Sequence, residues 1–465
     1  MKIALNRSDM PAARFLVTAG SRRRSSKAQI VHLSQEIRVR PEALAEYCFS
    51  KPDALAYDLM TVIGAVTYAD LTLVRRHSQG WSRRLELEIP VYDISRWSSS
   101  AESSLTHCLN YLTGDIWSFR FVKRQGEVEA PPQDPLGRGL SENRSRVFVP
   151  FSHGLDSFAQ VRLLQQAEPF TEIVCIRASD RPWKSIRSAL RHNSAHSIQY
   201  IPVPVSVKRR HHSERSFRTR PFIYYLLAAY GAVLSGNARV MIPENGQGSI
   251  GGTLVTTGHE ARHRSCYPVF TFKLSQFVRD LTGRDVQFYH PALFETKGRV
   301  LKALSEAGEP MIAALHEHFS CSCSARFAYR ESRRIHCGIC GNCLLRRTAE
   351  HFAGISGATE YLFSDLSAET LEGALQDGDH GKYLKFFTDL ARNGARDMQR
   401  LADLQGRSDR PLIQTTAVDL ARNSPESRPQ MEARLVALLD QHASEWNAFL
   451  AECGERSWIS NTARG

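Results

Sequence analysis

The sequence predicts an α/β fold: a parallel sheet with helices on both faces, with an α+β domain before it and a helical region after it. Three observations lead there. Between residues 146 and 242, short and nearly unbroken apolar runs alternate with helical stretches, the pattern of strands buried on both faces. A stretch without apolar period, RQGEVEAPPQDPLGRGLSENRS, separates that segment from an earlier one. Beyond residue 356 the apolar positions recur at helical spacing. The chain has 465 residues, 42% of them hydrophobic, enough for more than one domain with packed cores.

Each element follows in order. Residues 1–28 are basic, with only ARFLVTA strand-like, and read as a peripheral start. Residues 29–125 read as a small α+β domain. AQIVHL, RLELEIPVYD and IWSFRFVKR alternate as strands, and DALAYDLMTVIGAVTYADLTLV and AESSLTHCLNYLTGD are helical, the second closed by Gly114. Residues 126–145 form the linker. Residues 146–355 carry the strands VFVPF, EIVCIRA, SIQYIPVPV and ARVMIPE. Between them lie the helices SFAQVRLLQQA, RPWKSIRSALRHN and PFIYYLLAAYGAVLSG. Residues 356–465 hold two amphipathic helices, GKYLKFFTDLARNGARDMQRLADL and MEARLVALLDQHASEWNAFLAEC.

Composition narrows the partners. No run of about 18 apolar residues stands out, so no membrane-spanning helix is expected. The N-terminus lacks the apolar stretch of a signal peptide, so a cytoplasmic location is expected. The net charge of +12, from 60 Lys and Arg against 48 Asp and Glu, favours an anionic partner such as a nucleotide. Nucleic acid is less favoured, because no aromatic residues interleave with the basic runs at 22–24, 208–212 and 330–334.

The first chemical candidate is VFVPFSHGLDS, where an apolar strand ends in a turn before a helix. Gly154 permits close backbone approach and unusual dihedrals. The hydroxyls of Ser152 and Ser157 can donate to an anion, and the helix amides point the same way. Asp156 could hold Mg²⁺ or cap the helix. No Gly-Lys-Ser/Thr follows, so the loop is not a Walker A motif. Asp and Ser also stand at ordinary helix starts, which is the plainer reading. RVMIPENGQGS, two β/α units later, brings Glu244 and Asn245 to a second strand end, or makes a simple Asn-Gly turn.

Five of the ten cysteines lie between residues 321 and 343. Cys337, Cys340 and Cys343, each two residues apart, can share one face of a tetrahedral Zn²⁺. The fourth ligand is Cys323 or Cys321, separated from Cys337 by 13 and 15 residues, with Cys323 preferred. His336 is an awkward alternative, being adjacent to Cys337. Arg333, Arg334, Arg346 and Arg347 would help keep the thiols deprotonated. Four thiolates leave no open position, so the zinc would be structural; an iron–sulfur cluster is the main rival.

SHGLDS resembles the SGGxDS PP-loop of the ATP pyrophosphatases, whose fold is adenine-nucleotide α-hydrolase-like. His153 stands where the first glycine sits, and the other positions agree. Together with the later C…CxxCxxC, the pairing resembles the 7-cyano-7-deazaguanine synthase (QueC) family over residues 145–355. FRTRPFIYY gives Arg220 for the family's arginine, with Pro221 replacing its Asn. CYPVF at 266–270 is similar to its YPDC segment, with Val269 replacing Asp. HPALFETKGRVLKAL gives Lys297. The resemblance implies Mg²⁺-dependent use of ATP to adenylate a 7-carboxy-7-deazaguanine-type carboxylate, followed by amide formation with an amine. It implies nucleotide contacts at Ser152, His153, Gly154, Leu155, Asp156, Ser157, Arg220, Glu244 and Asn245. It implies catalytic roles for Ser152, Asp156, Ser157 and Lys297. The added flanks resemble long QueC-like proteins of the antiphage QatC type; the amine is then ammonia or, as the added domains and basic surface suggest, one on a macromolecule such as a co-encoded protein. A PP-loop tRNA-modifying enzyme and an inactive scaffold are the competing readings.

Overall fold

The computed structural model describes residues 12–18, 28–38, 54–75, 80–126, 145–179, 198–204, 206–208, 214, 216–236, 238–256, 260–308, 315, 318–324, 326–331, 333–355, 357, 359–375, 378–405 and 410–465. It is α/β, with parallel sheets flanked by helices, and divides into two compact units. The first comprises Met1–Ser152, Glu168–Ile242 and Gly258–Tyr289, and the second His153–Ala167, Pro243–Thr257 and His290–Gly465. These boundaries do not coincide with the divisions read from composition.

The first unit holds two parallel sheets. One contains β1 (Ala12–Thr18), β2 (Gln29–His32), β4 (Arg84–Val91) and β5 (Ile116–Lys123), in the order β2-β1-β4-β5 with every pairing parallel. This corrects two expectations. The N-terminal domain is α/β rather than α+β, and ARFLVT is an inner strand rather than a peripheral segment. The reason is visible in β1 itself, where Phe15 and Val17 are buried beside β4. Between β2 and β4 lies the two-residue β3 (Ile37–Arg38), which pairs antiparallel with β9 (Ser206–Val207).

Helices α1 (Ala54–Thr72) and α2 (Ser99–Thr113) make the crossovers of this sheet. By length and composition α1 could cross a membrane, contrary to the expectation of no such helix; yet 94% of its apolar stretch is buried in protein. Its acidic ends are satisfied inside the core. Asp58 accepts from the amides of Tyr92 and Asp93 at 2.7 and 3.0 Å. Asp70 accepts from Arg83 at 2.5 Å and from the amide and hydroxyl of Thr219, both at 2.9 Å. Arg75 and Arg83 also reach Asp115, at 2.5 and 2.7 Å, with all four side chains at most 5% exposed. Such a group tolerates burial because every charge has partners; losing one would cost about 3–5 kcal/mol.

The second sheet contains β6 (Arg146–Pro150), β7 (Glu172–Ser179), β8 (Ile198–Pro204), β10 (Ala238–Met241) and β11 (Gln287–Tyr289). Its order is β11-β10-β6-β7-β8, all parallel. The chain builds outward from β6 in one direction, then returns to β6 and builds the other way. The reversal lies between β6 and β10. The helix expected over RPWKSIRSALRHN falls outside the described residues. Helix α4 (Arg220–Leu234) lies on β6, and Gly231 allows the approach: a Cβ there would stand 2.5 Å from Phe148 Cε1. Helix α5 (Pro268–Thr282) packs on α2 and ends at Gly283, whose φ of 73° is left-handed.

The chain passes into the second unit three times, each time just after β6, β10 or β11. This unit is helical, with α3 (Leu155–Ala167), α6 (Lys297–Glu306), α7 (Gly341–Phe352), α8 (Leu384–Ala402), α9 (Arg410–Ala421), α10 (Arg428–Cys453) and α11 (Trp458–Arg464). Leu155, Phe158 and Ala159 of α3 pack with Val300, Leu301 and Leu304 of α6. A separate core gathers Leu344, Phe363, Phe387 and Trp446 around the cysteines. Helix α10 opens with a reciprocal capping box between Ser427 and Gln430.

Candidate functional site

Strand β6 ends in the loop that starts α3. The left-handed backbone falls on His153, with φ 58°, rather than on Gly154. Histidine is among the residues that enter this region, at roughly 1–2 kcal/mol. The residue that departs from the PP-loop pattern thus adopts a conformation glycine would adopt freely. Gly154 O accepts from Ser157 Oγ at 2.9 Å and from Phe158 N at 3.1 Å, which closes the first turn of α3. Ser157 is therefore buried and locally bonded, and Leu155 is buried in the core. Ser152 is exposed, at the end of the first unit.

Asp156 meets residues from two later loops. Lys297 Nζ lies 2.6 Å from its Oδ2, and Asn245 Nδ2 donates to its Oδ1 at 2.8 Å. Asn245 Nδ2 also donates to Glu244 Oε1 at 2.9 Å, and its Oδ1 accepts from Gly248 N at 3.0 Å. Gly248 lets Glu244 fold back, since a Cβ would stand 2.4 Å from Glu244 Oε1. Lys297 and Asn245 are buried, while the Asp156 side chain keeps 17% exposure. Burial pushes the Glu244 carboxyl up to about 8, the Asp156 carboxylate adds to this, and Lys297 opposes it. The Glu244 carboxyl is thus biased towards its protonated form beside the Asp156–Lys297 salt bridge. The cluster offers a partly open carboxylate and a buried ammonium next to the start of α3.

Of the residues marked in the sequence, Asp156, Glu244, Asn245 and Lys297 come together. Arg220 belongs to the first unit, where it is exposed at the start of α4 with its guanidinium 5.7 Å from the Tyr224 ring. Four further residues support Lys297 and its neighbours: Gln247 and Thr296, which lie within stretches quoted above, and His442 and Glu445, which no motif marked. The Lys297 amide donates to Gln247 Oε1 at 2.7 Å. Gln247 Nε2 bonds His442 Nδ1 at 2.9 Å, and Thr296 Oγ1 donates to Glu445 Oε1. Their partners lie far away in sequence, with no recurrent spacing to reveal them.

Four thiols that could hold a metal ion come together: Cys321, Cys337, Cys340 and Cys343, all buried, with sulfurs within 4.8 Å of one another. This corrects the preference for Cys323. Cys321 Sγ accepts from the amides of Cys323 and Cys337, both at 3.4 Å, and lies 3.9 Å from Cys340 Sγ. The Cys323 thiol instead meets the Ser324 carbonyl at 3.8 Å. Cys337 Sγ and Cys343 Sγ are 3.8 Å apart. Four sulfurs about 2.3 Å from a tetrahedral Zn²⁺ stand roughly 3.8 Å from one another, so the donor set fits that ion. Gly338, φ 88°, makes the turn between Cys337 and Cys340.

His336 is no part of this group. Its ring packs 4.2 Å from Phe319, and burial lowers its pKa to about 3. Two of the expected supporting arginines are otherwise engaged. Arg346 pairs with Glu350 at 2.8 Å, and Arg347 donates to the carbonyls of Phe363 and Ser364.

No family model matches the chain, and no curated protein matches it in sequence.

Proposed function

We propose that the chain is an ATP-dependent, AMP-forming ligase similar to the QueC family. One observation carries this reading. Asp156, Glu244, Asn245 and Lys297 converge from segments that each follow a strand of one parallel sheet. In chain order two of those strands, β6 and β10, are the ones between which the strand order reverses. A helix start, a carboxylate and a lysine suit a triphosphate and its metal.

In this reading the amides at the start of α3 take phosphate oxygens, and Lys297 turns from Asp156 to the charge developing on them. Asp156, with Glu244 beside it, is the carboxylate that would hold Mg²⁺, which supplies charge neutralisation on the phosphates. A carboxylate oxygen of a 7-carboxy-7-deazaguanine-type substrate attacks the α-phosphorus, and pyrophosphate leaves. An amine then attacks the acyl carbon, giving the amide, AMP and a proton. The amine is ammonia or belongs to a co-encoded protein, as in the antiphage QatC type. Val269, where the family has Asp, leaves base recognition to other groups. The four cysteines would hold zinc as a structural clamp, with no part in the reaction.

The test is pyrophosphate release from ATP and 7-carboxy-7-deazaguanine, with intact masses of co-encoded proteins recorded in parallel. Release that depends on the deazaguanine supports the ligase. ATP binding without release moves the reading to an inactive scaffold, and steeply salt-dependent tRNA binding moves it to tRNA modification.

A further inference from the structure

Lys297 is held by more than its ion pair. A continuous polar chain runs to its backbone from the C-terminal helices. Met398 O, near the end of α8, bonds His442 Nε2 at 3.0 Å. His442 Nδ1 faces Gln247 Nε2 at 2.9 Å, and Gln247 Oε1 accepts from Lys297 N at 2.7 Å. The carbonyl at one end fixes the imidazole as the Nε2–H tautomer, so Nδ1 accepts and the Gln247 amide is oriented. His442 is fully buried, and burial lowers its pKa to about 4, which keeps that tautomer neutral.

A second support stands one helical turn away. Glu445, 1% exposed, accepts at Oε1 from Thr296 Oγ1 and from Gln441 Nε2. Thr296 is the residue before Lys297 and caps α6 by accepting from Arg299 N at 3.2 Å. Gly298 follows, and a Cβ there would lie 2.6 Å from Glu445 Oε2. The carboxylate therefore closes against the backbone on both sides of Lys297. A purely apolar helix face would fill this space without burying an acid and an imidazole.

We propose that His442 and Glu445 are positioning residues that set the backbone of Lys297, so that the C-terminal helices are a working part of the site. The inference rests on the reading of Lys297 as the lysine that meets the triphosphate. It gives the helical tail a task that nothing in its own sequence marks.

The test uses the full-length, zinc-loaded chain with ¹⁵N-labelled lysine, the Lys297 amide being assigned by its loss in Lys297→Arg. His442→Phe and Glu445→Leu are expected to move the Lys297 amide resonance and speed its hydrogen exchange. They should also weaken Mg·ATP binding about tenfold, the scale of a small displacement of a catalytic group. Glu445→Gln keeps an acceptor for Thr296 and should retain both wild-type readings. His442→Leu, which likewise removes both the donor and the acceptor, stands in if His442→Phe does not fold, with the same expected readings. A Lys297 amide unmoved in folded His442→Phe and Glu445→Leu overturns the inference, as does equal damage from Glu445→Gln and Glu445→Leu. Failure of the wild type to take up ATP overturns the ligase reading instead, and leaves the amide resonance to decide the positioning role.

Discussion

Replacing Lys297 by Met tests the ion cluster most directly. The substitution keeps the stem and removes the ammonium that lies 2.6 Å from Asp156. What remains is a carboxylate beside the buried Glu244, with the Asn245 amide as compensation. Breaking a buried pair costs about 3–5 kcal/mol. The 17% exposure of Asp156 gives water some access, so the lower end applies, ~3 kcal/mol. Because the chain has two units, local opening is a better gauge than a global melt. Amides in α3 and α6 should exchange roughly 150-fold faster in Lys297→Met, the equivalent of ~3 kcal/mol. Adding Asp156→Asn should recover much of this, because the stranded charge is gone. Acceleration below about fivefold, with no coupling between the two substitutions, would refute the view that this pair holds α3 to α6.

Two further outcomes follow from the same geometry. Glu244 is raised from 4.5 to about 8, so its contribution to stability is complete below the unfolded value and is lost as pH rises through about 8. Hydrogen exchange of the α3 amides should therefore show the wild type weakening between about pH 4.5 and 8 relative to Glu244→Gln, by at most ~1.4 kcal/mol per pH unit; parallel profiles would remove Glu244 as the cause. At the metal site, Cys321→Ser should lose most of its zinc after dialysis against a mild chelator while Cys323→Ser retains about one equivalent, and the reverse order, read by metal analysis, would reinstate Cys323.

Much of this arrangement was legible before any coordinates. Val147, Phe148 and Val149 in succession announce a strand buried on both faces, and the alternation with helices announces parallel pairing. Asp156 and Asn245 stood out because each lies beside turn residues at a strand or helix end, and Lys297 only through the resemblance of HPALFETKGRVLKAL to a family motif. Other parts were hidden for physical reasons. Strand β1 is bounded by basic segments, and its place between β2 and β4 depends on pairings far along the chain. Cys321 and Cys323 are two residues apart, a spacing that puts both on one side of an extended segment; only the turn decides which sulfur enters the cluster. Gln247, His442 and Glu445 carry no pattern at all, because a buried polar residue is recognised by its partner and not by its neighbours.

The three passages of the chain between units also constrain how the protein is made. Neither unit is a continuous stretch of polypeptide, so no single truncation yields one of them whole. Leu155 and Phe158 leave the ribosome early, yet the α6 residues they pack against come some 140 positions later. Synthesis at ~5–20 residues per second brings Leu304 out on the order of 7–30 s after Phe158. Throughout that interval the apolar face of α3 lacks its cover, so nascent chains are open to holdase chaperones and to one another. Yield on overproduction should therefore respond to chaperone supply and growth temperature more strongly than the finished protein's resistance to unfolding would suggest.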